Sequence, residues 1–560
     1  MEEMDTASYC KAHHCCRAAR KDHERKVAGV RMPDAFTAGG NTQHTQETAL
    51  AKKKMTVVAT SVVAVLAVGY PASAWYLGSQ IENAHAEVRA MMAAQPYLKI
   101  VNESYERGLF SASETTTIEI PAAFFQPVGT ETEEAPAEKQ DADRPLRITI
   151  RTAIKHGPLP GFAALAAGSE TSTIEFDEPL RAKIAEAFGS ERPFDIRTTY
   201  DFQGGGRSTF ASKPFKLVLP GETPESNETF SGEATELVME FSRGLADYTV
   251  RGTVPGFALS EANGSSLAVK GMAFDSQLKR VFADEPLLYA GSQKVTVAEI
   301  SVTPGAAEQA ELKQKAALKE LAYDVQMPVT GDFMDVIAKL GVNAVQVGEQ
   351  NYGPANYDFS LKHLHGRKLV TLSRGITALH AKPEVFADQA QLLQAMAPLA
   401  APLFDLLADG PVFSIDRIAF RTTDGEASFN ASVKLTDPKP DDFSNPLMLL
   451  AKLDAGAAVV LPTALVDTLI GIGKSEEEVP FAQQSAANTL EQFKQQGYIT
   501  VENNLLKTSV TFKNGQLQVN GKPFNPMEAM MQQQFSPSAP QEAEVAAEEL
   551  EEMEEAVTQE

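Results

Sequence analysis

From Met55 to Gln80 the chain carries no charged residue, and Lys52, Lys53 and Lys54 stand directly before it. An uncharged segment of about 20 residues is long enough to cross the hydrocarbon core as a helix. Basic flanks resist translocation, so the lysine side is expected in the cytoplasm and the rest of the chain on the far side. Trp75 and Tyr76 fall where an interfacial aromatic anchor belongs. The stretch also has the parts of a cleaved signal: Val57 to Val68 reads as an h-region and Ala72-Ser73-Ala74 as an A-x-A site. The uncharged run continues past that site, which favours an uncleaved signal-anchor. Both readings export the remainder of the chain.

The formal charge of -24 argues against nucleic acid as a partner, because phosphate binding needs a basic face. Part of that charge sits in the tail Glu542 to Glu560, and part in Glu131 to Asp143. The three cysteines, Cys10, Cys15 and Cys16, all precede the apolar run. The exported part therefore has no disulfides, and its stability must come from core and sheet. Cys10, His13, His14, Cys15 and Cys16 are too crowded for a structural zinc site, with no second ligand pair at a proper distance. No cofactor is expected. Residues 1–54 read as a disordered extension, of the kind a mis-assigned start would add, with Met55 as the initiator.

Beyond Gln80 a short helix continues outward, and from Leu98 the periodicity changes from helical to strand-like. Ile81 to Tyr97 has an apolar helical face, and Leu98 begins a β region. Strands are expected at Ser113–Ile120, Leu146–Ile154, Ile174–Phe176, Phe194–Phe202, Phe215–Leu219, Ala234–Phe241, Tyr248–Val254, Leu267–Leu278, Val295–Val302 and Asn356–Leu364. Helices are expected at Ile184–Phe188, Ala306–Ala322, Phe333–Leu340 and Pro383–Leu407. Strands come next at Phe413–Arg421 and Ala427–Leu435, then helices at Pro446–Leu453, Ala464–Ile472 and Val479–Gln496. The region closes on Ile499–Val501 and a hairpin around Asn514-Gly515, the strongest short hairpin signal. Strands every 10–20 residues with Gly, Asn or Ser between them imply an antiparallel sheet. The expected class is α+β and β-rich: one transmembrane helix, then a large, mostly antiparallel sheet with covering helices. The expected division is 1–54 extension, 55–80 anchor, 81–526 periplasmic β-rich region and 527–560 disordered acidic tail.

Three motifs carry a resemblance. Trp75-Tyr76-Leu77-Gly78 with Ile81-Glu82, then Ser104-Tyr105-Glu106-Arg107-Gly108-Leu109-Phe110-Ser111, is similar to the start of the YdgA-like family of Gram-negative envelope proteins. His156-Gly157-Pro158-Leu159-Pro160 resembles its second signature, and Tyr498 to Pro523 its last. The resemblance implies an inner-membrane anchor with a large periplasmic domain. It supplies no catalytic residues, because the family has no assigned function. Its motif residues here are Tyr105, Arg107, Gly108, Phe110, His156, Gly157 and Pro158.

The residues themselves point to structure more than chemistry. Tyr105 and Phe110 around Gly108 read as a hairpin or bulge. His156 could be a base, but it reads better as a strand end whose imidazole is satisfied by backbone. His363 and His365 share a strand face but lack a third metal ligand. No G-x-S-x-G, Walker or H-E-x-x-H pattern is present. The expected function is non-enzymatic: an anchored periplasmic protein that binds an apolar envelope ligand or envelope protein in envelope assembly or maintenance. The alternatives are an envelope hydrolase using His156 with Glu106 and Asp177, or a structural protein that self-associates as a homodimer through Pro383–Leu407.

Overall fold

The computed structural model describes residues 43–525 apart from 96, 123–143, 179, 220–226, 306–314, 381, 383–384, 386–388 and 471–477, with most side chains from Ala67 onward. The cysteine–histidine cluster, both acidic stretches and Met527 to Phe535 lie outside the described residues. The sheet and the candidate sites on it belong to one compact unit, residues 67–560.

A long helix, α1 (Gln43–Ala93), enters the sheet. The first strands are β1 (Lys99–Arg107), β2 (Ser111–Ile120), β3 (Leu146–His156), β4 (Gly168–Phe176), β5 (Phe194–Tyr200) and β6 (Gly206–Ser212), with α2 (Leu180–Phe188) between β4 and β5. Next come β7 (Phe215–Leu219), β8 (Glu228–Gly232), β9 (Thr235–Phe241), β10 (Asp247–Glu261), β11 (Ser266–Arg280), β12 (Tyr289–Thr303) and β13 (Ala316–Gln326). The chain goes on through β14 (Val329–Thr330), β15 (Phe333–Val347), β16 (Gln350–Tyr352) and β17 (Ala355–His365). Three helices come after these: α3 (Gly366–His380), α4 (Gln389–Met396) and α5 (Ala400–Leu407). Strands β18 (Val412–Thr422) and β19 (Gly425–Leu435) lead to α6 (Pro446–Lys452), β20 (Leu453–Pro462), α7 (Thr463–Ile470) and α8 (Glu478–Gln496). The fold closes on β21 (Thr500–Glu502), β22 (Leu505–Lys513), β23 (Gln516–Val519) and β24 (Lys522–Pro523).

All 24 strands of the described residues join one sheet, and each pairing is antiparallel. The main path runs β1 to β6, crosses to β9, and continues through β10–β13, β15, β17–β20 and β22. Short turns suffice for such a path, because antiparallel neighbours need no crossover. In the last hairpin Asn514 and Gly515 have φ of 53° and 74°, the two positive values a type I′ turn requires. Gly515→Val will therefore destabilise the domain by about 1 kcal/mol or more, since a β-branched residue resists that conformation. A chemical-denaturation midpoint equal to wild type would refute the turn argument.

Two expected helices are strands where they are described. Of the helix expected at Ala306–Ala322, residues 306–314 lie outside the described residues and 316–322 belong to β13, although Ala-Leu-Lys-Glu-Leu favours helix locally. Pairing to β12 on one side and β15 on the other overrides that preference. Phe333–Leu340 lies in β15. There a bulge between Met334 and Val336 breaks the two-residue alternation, and the apolar spacing imitates a helix. The long helix expected over Pro383–Leu407 is α4 and α5, joined by a 3-10 turn at Ala397–Leu399 around Pro398. Elements not anticipated from the sequence include β6, β8, α3 and β20; the Ala-Gly-Ala-Ala-Val-Val run of β20 has no period.

Register explains the two faces of the sheet. One row of paired residues reads Phe210, Leu237, Gly252, Phe274, Val295, Tyr323, Leu340, Tyr357, Ile418, Phe429 and Val459. Two residues along, Val254, Met272, Val297, Leu321, Val342, Ala355 and Phe420 form a second apolar row. Side chains alternate, so the row between them faces the other way. A neighbouring row on that opposite face is Arg251, Asp275, Lys294, Asp324, Lys339, Asp358 and Arg417, alternating in sign across the strands. Opposite charges side by side fix the register, while the other face stays apolar.

Candidate functional site

The apolar face is covered by α1 at one end, by α2 around Phe194 and Phe215 and by α3 and α5 further along, and it is more exposed between these covers.

The row that begins at Phe210 extends the other way through Ile196, Ser172, Thr152 and Glu114 to Tyr105. This end lies under α1. The helix turns Ala74, Gly78, Ile81, His85 and Arg89 toward the sheet, at the spacing of one helical face. Ala74 is fully buried, and Ile81 packs on Ala112, Ile154, Ala167 and Tyr200. Two glycines make this fit possible. A Cβ on Gly78 would lie 2.6 Å from Cε1 of His156, and one on Gly168 would collide with Ile81. His156 and Gly168 are cross-strand partners. So the sheet puts an imidazole into the helix's gap, and the helix puts an isoleucine into the sheet's gap.

Deeper along α1 is a buried ionic cluster. His85 bonds Glu114 through Nδ1 and Glu170 through Nε2, the latter at 2.9 Å. Arg89 pairs with the other oxygen of Glu114. The Tyr200 hydroxyl donates to Glu170 at 3.0 Å, and the Tyr105 ring lies 6.0 Å from the Arg89 guanidinium. Burial alone would lower the His85 pKa, but hydrogen bonds to Glu114 and Glu170 outweigh it and raise it to about 9. Burial opposes ionisation of Glu114, yet His85 and Arg89 hold its carboxyl below the usual range. Burial and the Glu170 charge push the Tyr200 phenol up. Two cations on the helix thus meet two carboxylates from the sheet. Such a cluster is costly to break from one side, because a lone buried charge remains.

The seven motif residues gather at this joint. Tyr105 is beside His85. Arg107 stacks 5.3 Å from the Trp75 ring and pairs with Glu82. Gly108 closes the β1–β2 turn by donating to the Ser111 carbonyl. The Phe110 carbonyl accepts from the His156 amide, and its ring contacts Tyr70. The His156 imidazole is bonded by Nδ1 to the Ala74 carbonyl at 2.9 Å, a backbone partner as the sequence suggests, but on α1. Gly157, at φ 125°, approaches Ala74, and Pro158 accepts from Ala166. His85, Arg89, Glu114 and Glu170 escaped the sequence reading. The available signal was Glu114 between Ala112 and Thr116 on a buried strand face, and a histidine and an arginine at Ile81 plus four and plus eight.

Other candidates are not brought together. Glu106 is exposed on β1, and Asp177 pairs with Arg147 at the far end of β3 from His156. His363 sits in a bulge with φ 60°, and it and His365 flank the Phe333 ring. Among the described residues no group of three or more His, Cys, Asp or Glu side chains is placed to hold a metal ion.

Past the joint the apolar face opens. Helices α3 and α5 cover it at one end, where Leu369, Leu372 and Leu406 pack with Met334, Leu361 and Leu364. Between that cover and α1, Tyr323 is 36% exposed, Leu340 37% and Tyr357 42%. Aromatic rings continue along it from Phe176 through Phe194 to Phe210, and from Phe215 through Phe230 to Phe257.

Among known proteins, Protein YdgA of Escherichia coli K12 is 22% identical over 508 residues, covering 83% of this chain and 94% of the relative. An uncharacterized protein of Haemophilus influenzae is 22% identical over 351 residues, covering 58% of this chain and 87% of its own length. No solved structure matches. Residues 52–527, which include most of α1, the joint and the whole described sheet, match the family described as bacterial protein of unknown function, DUF945, and the chain belongs to that family.

Proposed function

We propose that this chain is an inner-membrane-anchored periplasmic protein that binds the acyl chains of an envelope lipid on its open apolar sheet face, without covalent chemistry. The observation that carries the reading is the row from Phe210 to Val459, apolar but for Gly252, with the charged row from Arg251 to Arg417 on the other face. A hydrocarbon chain needs contact area and no hydrogen bonds, and this face offers that. The interior strands beneath it are already paired on both sides, so a peptide could not add to them as a further strand. The anchor would hold the face beside its source of lipid.

Full-length protein extracted from membranes in mild detergent should carry bound lipid, identified by mass spectrometry. Leu340→Asp with Tyr357→Asp should lower it at least fivefold, because a carboxylate there opposes hydrocarbon. Both positions are over a third exposed, so the variant should fold. Equal lipid in wild type and variant, with matching circular dichroism, rejects the binding face. A reporter active only outside the cytoplasm, fused after Pro523, tests the topology; an inactive fusion rejects export, and a soluble product beginning at Trp75 rejects the uncleaved anchor.

One observation favours self-association as a second reading. The stretch Ala390–Leu407 has mean hydropathy 1.3 and is almost wholly unburied, with Leu393 and Met396 presented to solvent. The hydrolase reading gains nothing from the separated positions of His156, Glu106 and Asp177.

A further inference from the structure

The sheet beneath α1 has two unlike ends. At one end of β2–β4 the side chains are ionic: Glu119 with Arg147, Arg147 with Asp177, and Glu178 with Arg181. At the other end, where α1 leaves toward its uncharged run, the connections are apolar and exposed. Leu109 and Phe110 form the β1–β2 turn, and Leu159, Phe162 and Leu165 lie on the connection from β3 to β4. Phe162 is 84% exposed and Leu165 76%.

This exposure is built. Gly161 and Phe162 both have φ near 60°, and an aromatic residue takes that conformation only under constraint. The constraint holds the Phe162 ring outward, stacked on Tyr70 of α1. The Tyr70 hydroxyl donates to the Leu159 carbonyl at 3.0 Å, and the Tyr70 ring also meets Phe110. The loop and the turn are therefore fastened around the helix where it departs. One helical turn and a half further into the sheet, Trp75 is stacked under Arg107, an aromatic and a cation suited to the headgroup level. At 1.5 Å per residue, Tyr70 lies about 7 Å beyond Trp75 along the helix, which matches the depth of an interfacial segment.

We propose that the Leu109–Phe110 turn and the Leu159–Leu165 loop form a collar that inserts into the bilayer around the exit of α1. The domain is thereby seated on the membrane surface. The occupant is lipid, because the patch is continuous with the uncharged run of α1 itself. The inference rests on the anchored reading of the proposed function.

The test uses the full chain with Cys10, Cys15 and Cys16 replaced by serine, leaving no other thiol. Phe162→Cys, Leu165→Cys and, as control at the ionic end, Arg181→Cys are labelled singly with an environment-sensitive fluorophore. Each is reconstituted in phosphatidylcholine–phosphatidylglycerol vesicles containing lipids spin-labelled on the acyl chain. Quenching at 162 and 165 should exceed that at 181 at least threefold. Protein that floats with the vesicles yet shows equal quenching at all three sites overturns the collar and leaves the anchor standing. Protein that does not float overturns the anchor, and the collar with it.

Discussion

Glu114→Ala will loosen α1 from the sheet and cost about 3–5 kcal/mol, the usual penalty for removing one side of a buried ion pair. Glu114 is 6% exposed, and its two oxygens serve His85 and Arg89 separately. Without it, His85 would keep only Glu170 and Arg89 only the exposed Glu103. The readout is convenient, because the chain has one tryptophan and Trp75 lies on α1 against Arg107. Denaturation of the full-length protein in detergent, followed by Trp75 emission, should show a lower midpoint for the variant. A pH profile gives the same cluster a second signature. The His85 pKa is about 9 in the folded protein against 6.5 when free. Its stabilisation is therefore complete below about pH 6.5 and lost as pH rises through 9. Glu114, held low, acts in the opposite sense: its contribution is present above its ordinary pKa and lost as pH falls through the lowered one. The docked helix should thus be most stable between these limits. In Glu114→Gln the alkaline loss should begin at lower pH, since one of the groups that raise His85 is gone. An alkaline transition identical in wild type and Glu114→Gln would sink the assignment.

Gly78→Leu will have an effect of similar size from steric causes. The new side chain must enter the space of the His156 imidazole, which is 1% exposed and bonded to Ala74. Overpacking of this kind costs about 1–3 kcal/mol, and more where neighbours cannot move. The sharper test is a cycle with Gly78→Ala and His156→Ala. Each alone should destabilise, the first by contact with the ring and the second by leaving a cavity and removing the imidazole's bond to the Ala74 carbonyl. Together the alanine Cβ enters space the ring has vacated, and the sum should be relieved by at least about 1 kcal/mol, within the range measured for touching residues. Strictly additive values would mean that the two positions do not share the joint.

These two predictions concern residues of unequal visibility in the sequence. Gly78 and His156 stand in motifs that attract notice, yet their purpose reads differently in isolation. His156 beside Gly157-Pro158 looks like a strand end, and it is one. What the linear order hides is that its imidazole closes on α1, about eighty residues upstream. Trp75 reads as an interfacial anchor and also proves to be stacked on Arg107 from the β1–β2 hairpin. Nothing in the sequence by itself marks Glu114 or Glu170 as buried, because burial of a carboxylate depends on what covers the face. The sequence continues the anchor as a helix over Ile81–Tyr97, and α1 does run to Ala93; what the sequence does not show is that this helix packs down on the sheet from Tyr70 onward.

Local chemistry decided much of the architecture. Alternation at Leu146–Ile154, the Asn514-Gly515 turn and the Gly, Asn and Ser breaks each act over a few residues, so the antiparallel class and most strands were legible. Where a bulge interrupted the alternation, as at Met334–Val336, or where helix-favouring residues were held by partners on both sides, as in β13, the local signal pointed the wrong way. Only the tertiary structure decided the register that aligns Phe274, Tyr323, Leu340 and Tyr357 into one face, and the closure of α1 over Glu114 and Glu170. Both depend on residues brought together from distant parts of the chain, and contacts of that kind leave no periodicity in a sequence.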